Sequence, residues 1–173
     1  LIVKIVTNKG EMAIELWEDD APNTVANFIY LVDKGFYNGL TFHRFEPGRV
    51  LQGGDPNGDG SGGPGWRIEG EVSTRRYDAG VIGMADAGVD TGGSQFFFAF
   101  GQMQQWDPRY TCFGKIVAGM DVLAQISKGD SIVRMEVLQR RSHAYLPYVY
   151  KDGSEKEERL PPIEVKPKES PKP

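Results

Sequence analysis

Arg44 lies between Phe42 and Phe45 in a short apolar stretch, and Gln52 follows eight residues later, just before the pair Gly53-Gly54. A guanidinium is always charged and offers five donors in a rigid fork, so an aromatic setting calls for a carboxylate partner or a carbonyl to bind. A structural ion pair and a binding role are both open to Arg44 on spacing alone. A second run, Gly92-Gly93-Ser94-Gln95-Phe96-Phe97-Phe98, adds another amide and an aromatic wall. Other chemistries fit less well. Ser94 lacks the second glycine of a nucleophile elbow. His43, the one histidine near enough to serve as its base, reads as a structural strand residue. Cys112 is the single cysteine, and with only His43 and His143 beside it no typical zinc set forms. Asp55-x-Asn57-x-Asp59-Gly60 resembles the first half of a calcium loop, but its twelfth position is Trp66, where a bidentate glutamate is required. A glycine-rich turn is the better reading there.

The elements that must carry these residues are short. Ile2 to Thr7, Asn8-Lys9-Gly10 and Glu11 to Leu16 read as a hairpin, with Met12, Ile14 and Leu16 alternating against Ala13 and Glu15. Val25, Phe28, Ile29 and Val32 fall at helical spacing. Asp19, Asp20 and Pro22 stand at the start of that helix and Gly35 at its end. Strands are expected at Thr41 to Phe45, Val50 to Gln52, Gly80 to Met84, Phe96 to Phe100, Cys112 to Val117 and Ile132 to Leu138. A second helix is expected from Met120 to about Lys128. Many short strands, few helices and 22 glycines favour a closed β-barrel with helical caps.

A chain of 173 residues suits one domain able to bury a core without disulfides or metals. Its net charge of −4 is too mild to point to nucleic acid or a membrane surface. No apolar run reaches the roughly 18 residues of a spanning helix. The chain starts at Leu1, which leaves room for a removed leader. Cytoplasmic residence is the expectation and an exported form the alternative, since a lone cysteine fits both. Two regions differ in kind: residues 1–139, and an extension over 140–173 that is rich in Pro, Lys and Glu from 151. Lys151 to Pro173 holds six basic residues, six acidic residues and five prolines. On composition it should not bury enough surface to offset its ordering entropy. Tyr145, Tyr148 and Tyr150 either pack back on the domain or meet a partner.

The segments around Arg44, Gln52-Gly53-Gly54-Asp55, Met84-Ala85-Asp86-Ala87-Gly88 and Ser94-Gln95-Phe96-Phe97-Phe98 resemble the cyclophilin-type peptidyl-prolyl cis-trans isomerases. Asn27-Phe28, Gly35-Phe36-Tyr37, Thr91 and Phe113-Gly114-Lys115 extend the likeness. The resemblance implies a closed eight-stranded antiparallel β-barrel capped by two α-helices, with no cofactor and no metal. It implies Arg44 as the donor to the prolyl amide and Gln52 as the residue that orients it. Phe97 and Val50 would form the proline slot, and Ala85, Asp86 and Gln95 would hold the substrate backbone on the N-terminal side of the proline. Proline-containing peptides and unfolded or folded client proteins are the implied partners, and a monomer is the default expectation. Arg49 stands where the family usually has a phenylalanine. Either its stem covers the proline while its head reaches water, or the slot becomes polar. Asp86 replaces an asparagine, Tyr110 a frequent histidine, and Gln105 falls where a tryptophan is common, with Trp106 one residue later. Cyclosporin-type ligands lean on that tryptophan, so weakened binding of them is expected. A module that only binds proline-containing segments or docks in an assembly is the alternative to the enzyme.

Overall fold

The computed structural model describes residues 1–102 and 109–164, and Gln105, Trp106 and the last nine residues lie outside them. The chain opens as the expected hairpin, β1 (Ile2–Thr7) paired with β2 (Gly10–Leu16). Val3 and Ile5 of β1, and Met12, Ile14 and Leu16 of β2, point into the core. Gly10 ends the turn at φ 136°, and a Cβ there would meet Val122 at 2.9 Å, so only glycine fits. Next come α1 (Pro22–Asp33), β3 (Phe42–Glu46), β4 (Val50–Gly53), β5 (Trp66–Arg67), β6 (Val81–Met84), β7 (Phe96–Ala99) and β8 (Cys112–Ala118). The chain closes with α2 (Met120–Leu123), β9 (Ile132–Gln139), β10 (Tyr148–Lys151) and β11 (Glu157–Arg159).

Eight strands form one curled antiparallel sheet in the order β3-β4-β7-β6-β8-β2-β1-β9. Helix α1 joins the main core of the sheet through Val25, Phe28, Ile29 and Val32, where Phe28 meets Tyr37, Phe96 and Phe113 at 5.2–5.9 Å between ring centres. Pro22 begins α1 as expected, but Asp19 and Asp20 do not cap it. Glu71, from a distant loop, accepts from the Asn23 and Thr24 N–H groups at 3.1 and 2.5 Å, and from the Thr24 hydroxyl at 2.7 Å. Asp19 and Asp20 pair instead with Arg141 and Arg75. Helix α2 is shorter than the expected 120–128. After one turn its bonds tighten to i−3, with Gln125 N–H donating to Val122 and Ile126 N–H to Leu123, and Gly129 at φ 94° turns the chain away.

The extension differs from its expected behaviour. Strand β10 pairs with β11 on one side and β5 on the other, giving a separate three-stranded sheet. Val149 and Leu160 are buried against Tyr30 and Ile68, so α1 is covered on a second side that its periodicity did not announce. Arg140 grips Asp33 with two bonds of 2.7 and 2.9 Å, and the Tyr145 hydroxyl donates to buried Glu18 at 3.0 Å. Averaged composition hid these anchors. Over 140–164 Tyr145 is buried on the domain and Tyr150 half-buried, Tyr148 stays 47% exposed, and the charged residues stay on the rim.

Candidate active site

Three adjacent strands set Arg44, Gln52 and Phe97 in one row. Arg44 of β3 is the register partner of Gln52 on β4, and Gln52 is the partner of Phe97 on β7. Partners across a ladder share a face, so all three side chains emerge on the side opposite the core. Strand alternation does the sorting: Leu51, Phe96 and Phe98 enter the main core, while Val50, Phe97 and Ala99 join a smaller cluster with Tyr77, Val81 and Cys112. The row continues to Gly83 on β6, where a Cβ would lie 2.6 Å from Phe97 and would clash with the Tyr77 hydroxyl. Its bare backbone lets Tyr77 stack under Phe97 at 5.5 Å, and Tyr110 closes edge-on at 5.7 Å.

Above this floor lies a slot of about 190 Å³ lined by Arg44, Arg49, Val50, Gln52, Ala85, Asp86, Phe97 and Tyr110. Every site residue expected from the sequence is here except Gln95, Gln105 and Trp106. Gln95 lines a neighbouring cavity of about 390 Å³ that shares Gln52, Ala85 and Asp86 with the slot and reaches Trp66, Arg67 and Asp152. Gln105 and Trp106 fall outside the described residues.

A chain of amides aims the arginine. The Gly60 and Gly62 carbonyls each accept from Gln95 Nε2 at 2.9 Å, which turns the Gln95 oxygen toward Gln52 Nε2 at 3.0 Å. The Gln52 oxygen is thereby left for Arg44 Nη1 at 3.4 Å. The loop that offers those carbonyls is built on fully buried Asp55, whose carboxylate accepts backbone N–H groups from Asn57, Asp59, Gly60 and Gly62. The calcium-like spacing is therefore a loop wound on one carboxylate.

Of the two carboxylates at the slot, Asp86 is among the residues expected from the sequence and Glu46 is not. Glu46 accepts from Arg44 Nη2 at 2.6 Å and lies 3.5 Å from Arg49 Nε. The bond from Arg44 holds the Glu46 carboxyl below its usual range, with the charges of both arginines adding to it. Its position two residues from Arg44 on one strand was the available signal, since i and i+2 share a face. Asp86 takes both arms of Arg109 at 2.9 and 3.1 Å, and Arg109 lies 4.5 Å over the Tyr110 ring. Twenty-three residues separate that pair, and no local pattern announces it. The slot is also more open than a dry pocket, because half of the Arg44 side chain is exposed.

The family model for cyclophilin type peptidyl-prolyl cis-trans isomerase/CLD matches residues 2–141. The chain belongs to this family. A Helicobacter pylori peptidyl-prolyl cis-trans isomerase is 52% identical over 132 residues, which is 74% of this chain and 81% of that one. Peptidyl-prolyl cis-trans isomerase B of Bacillus subtilis is 43% identical over 135 residues, covering 77% and 94%. A cyclophilin type isomerase of Cryptosporidium parvum, crystallised in the presence of the dipeptide Ala-Pro, superposes with a TM-score of 0.76 at 30% identity. It covers 81% of this chain and all of its own. The cyclophilin family match ends at residue 141, so β10 and β11 lie beyond it.

Proposed function

We propose that this protein accelerates cis–trans rotation about X-Pro bonds in peptides and client proteins, with Arg44 stabilising the twisted amide. Rotation removes amide resonance across a barrier of roughly 18–20 kcal/mol and takes tens to hundreds of seconds unaided. No covalent bond is made or broken. What lowers the barrier is a group that binds the twisted amide better than the planar one, and a 10⁵-fold gain needs about 7 kcal/mol of such preference. The observation that carries the proposal is the single row Arg44–Gln52–Phe97, which puts a charge-assisted donor at the mouth of a slot floored by an aromatic ring.

In this account Phe97 and Val50 hold the proline ring, and Arg49 and Tyr110 form its rim. Arg44 donates to the prolyl carbonyl and to the nitrogen as it loses conjugation. Ala85, Asp86 and Gln95 receive the segment before the proline, along the cavity that joins the slot. The relative crystallised with Ala-Pro supports a proline-containing ligand. We also read the sheet as closed into a barrel. Strands β3 and β9 end the strand order, and the bonds Phe42 N–H to Asp130, Gly129 N–H to Phe42 and Ile132 N–H to Leu40 support that closure. Arg49, polar where an apolar wall suits proline, favours the second reading of a docking module with little turnover. Timing cis-to-trans conversion of an Ala-Ala-Pro-Phe peptide with wild type and Arg44→Ala separates the two. The isomerase gives fast conversion that the variant loses, and the module accelerates neither sample.

A further inference from the structure

We infer that Glu46 is a positioning residue for the isomerisation, holding Arg44 and Arg49 with one carboxylate. The inference rests on Arg44 being the acting group. Of the two bonds to its guanidinium among the described residues, the one to Gln52 is long at 3.4 Å, whereas the one to Glu46 is 2.6 Å and charge-assisted. The geometry follows from the β3–β4 turn. Arg49 N–H donates to the Glu46 carbonyl at 3.0 Å across Pro47 and Gly48, with Gly48 at φ 73°, so Glu46 and Arg49 flank one tight turn. Glu46 also shares a face with Arg44, being two residues on along β3. One carboxylate oxygen thus takes Nη2 of Arg44, and the other lies 3.5 Å from Nε of Arg49.

Two consequences distinguish this role from simple surface pairing. With Nη2 fastened, the guanidinium plane is set and its remaining donors are presented to the slot. Without Glu46, the long bond to Gln52 is the one left among the described residues to restrain rotation about Nε–Cζ. The second consequence is electrostatic. Two guanidiniums share Glu46 at the slot mouth, so removing its negative charge makes the field there more positive toward a bound peptide. A partly open site keeps such a field within reach of a bound peptide, though salt weakens it.

The test compares Glu46→Gln, Glu46→Ala and Glu46→Asp with wild type. Two peptides are used, Ala-Ala-Pro-Phe and Ala-Ala-Pro-Asp, with kcat and KM separated for each. The Gln and Ala variants should lower kcat on the neutral peptide about tenfold with KM nearly unchanged. They should also raise the acidic-to-neutral ratio of kcat/KM about threefold at low salt. Glu46→Asp should recover part of kcat. Nitrogen-15 NMR of the Arg44 side chain should show faster Nε–Cζ rotation in the Gln and Ala variants. Equal kcat, an unchanged peptide ratio and unchanged Arg44 rotation in folded variants would overturn the inference while leaving the isomerase intact. A wild type that accelerates neither peptide would overturn both.

Discussion

At the scale of single residues, Arg44 is aimed by neighbours rather than by burial, since half of its side chain meets solvent. Arg44, Gln52 and Phe97 were legible because their surrounding segments are distinctive and their chemistry narrow. Glu46 and Arg109 were not, for two different reasons. Glu46 needed the strand parity to be applied to a charged residue that looked like an ordinary edge position. Arg109 reaches Asp86 through tertiary folding alone. His43, set aside in the sequence as structural, supplies a pH-dependent prediction. Its Nδ1 is buried without a hydrogen-bond partner among the described residues, and burial pushes the imidazole below its ordinary value of 6.5, against the pull of Asp55 and Asp59. A depressed value means that the unfolded chain takes up the proton first as pH falls. Stability should therefore hold above 6.5 and decline as pH drops below it. Urea midpoints at pH 7.5 and 5.5 check this: His43→Gln should show a smaller decline than wild type, and equal declines would contradict it.

At the scale of elements, the strands were readable because period-two alternation is a local signal with one strong cause, a buried face. Strands β1, β2 and β8 begin within a residue of their expected starts for that reason. Helix ends were harder, because charge near a terminus is only one of several ways to satisfy its N–H groups. For α1 the satisfying group is Glu71, 47 residues from Thr24. Asp19 and Asp20, which lie closer in sequence, are engaged by arginines from elsewhere. Replacing Glu71 by Ala should cost about 1–2 kcal/mol, in the range of a lost N-cap, whereas Asp20→Ala should cost less. Thermal unfolding of the two variants distinguishes them, and the reverse order would return the cap to the local aspartates.

At the scale of the whole molecule, the extension belongs to the described fold up to residue 164. Overall composition reports mean polarity, and a few well-placed apolar side chains can anchor a polar strand pair without moving that mean. Leu160 is 4% exposed and Val149 fully buried, both against Tyr30 of α1. Arg67 of β5 stacks on its register partner Tyr150 of β10 at 4.4 Å within the small sheet, and Arg67 also lines the larger cavity. Leu160→Ala should therefore cost about 2–4 kcal/mol, the range for truncating a packed leucine. A lowered urea midpoint with a single transition is the expected result. An unchanged midpoint would mean that the small sheet adds nothing to the stability of the domain.

The central claim is that Arg44 acts on the transition state more than on the bound peptide. Exchange NMR on an Ala-Pro peptide measures both quantities in one sample, the cis–trans rate on the protein and the dissociation constant. For Arg44→Ala the expected result is a rate down by about 100-fold or more with affinity changed by less than about fivefold. Equal losses in rate and affinity would contradict it, and would make Arg44 a binding residue of the slot rather than the source of its catalysis.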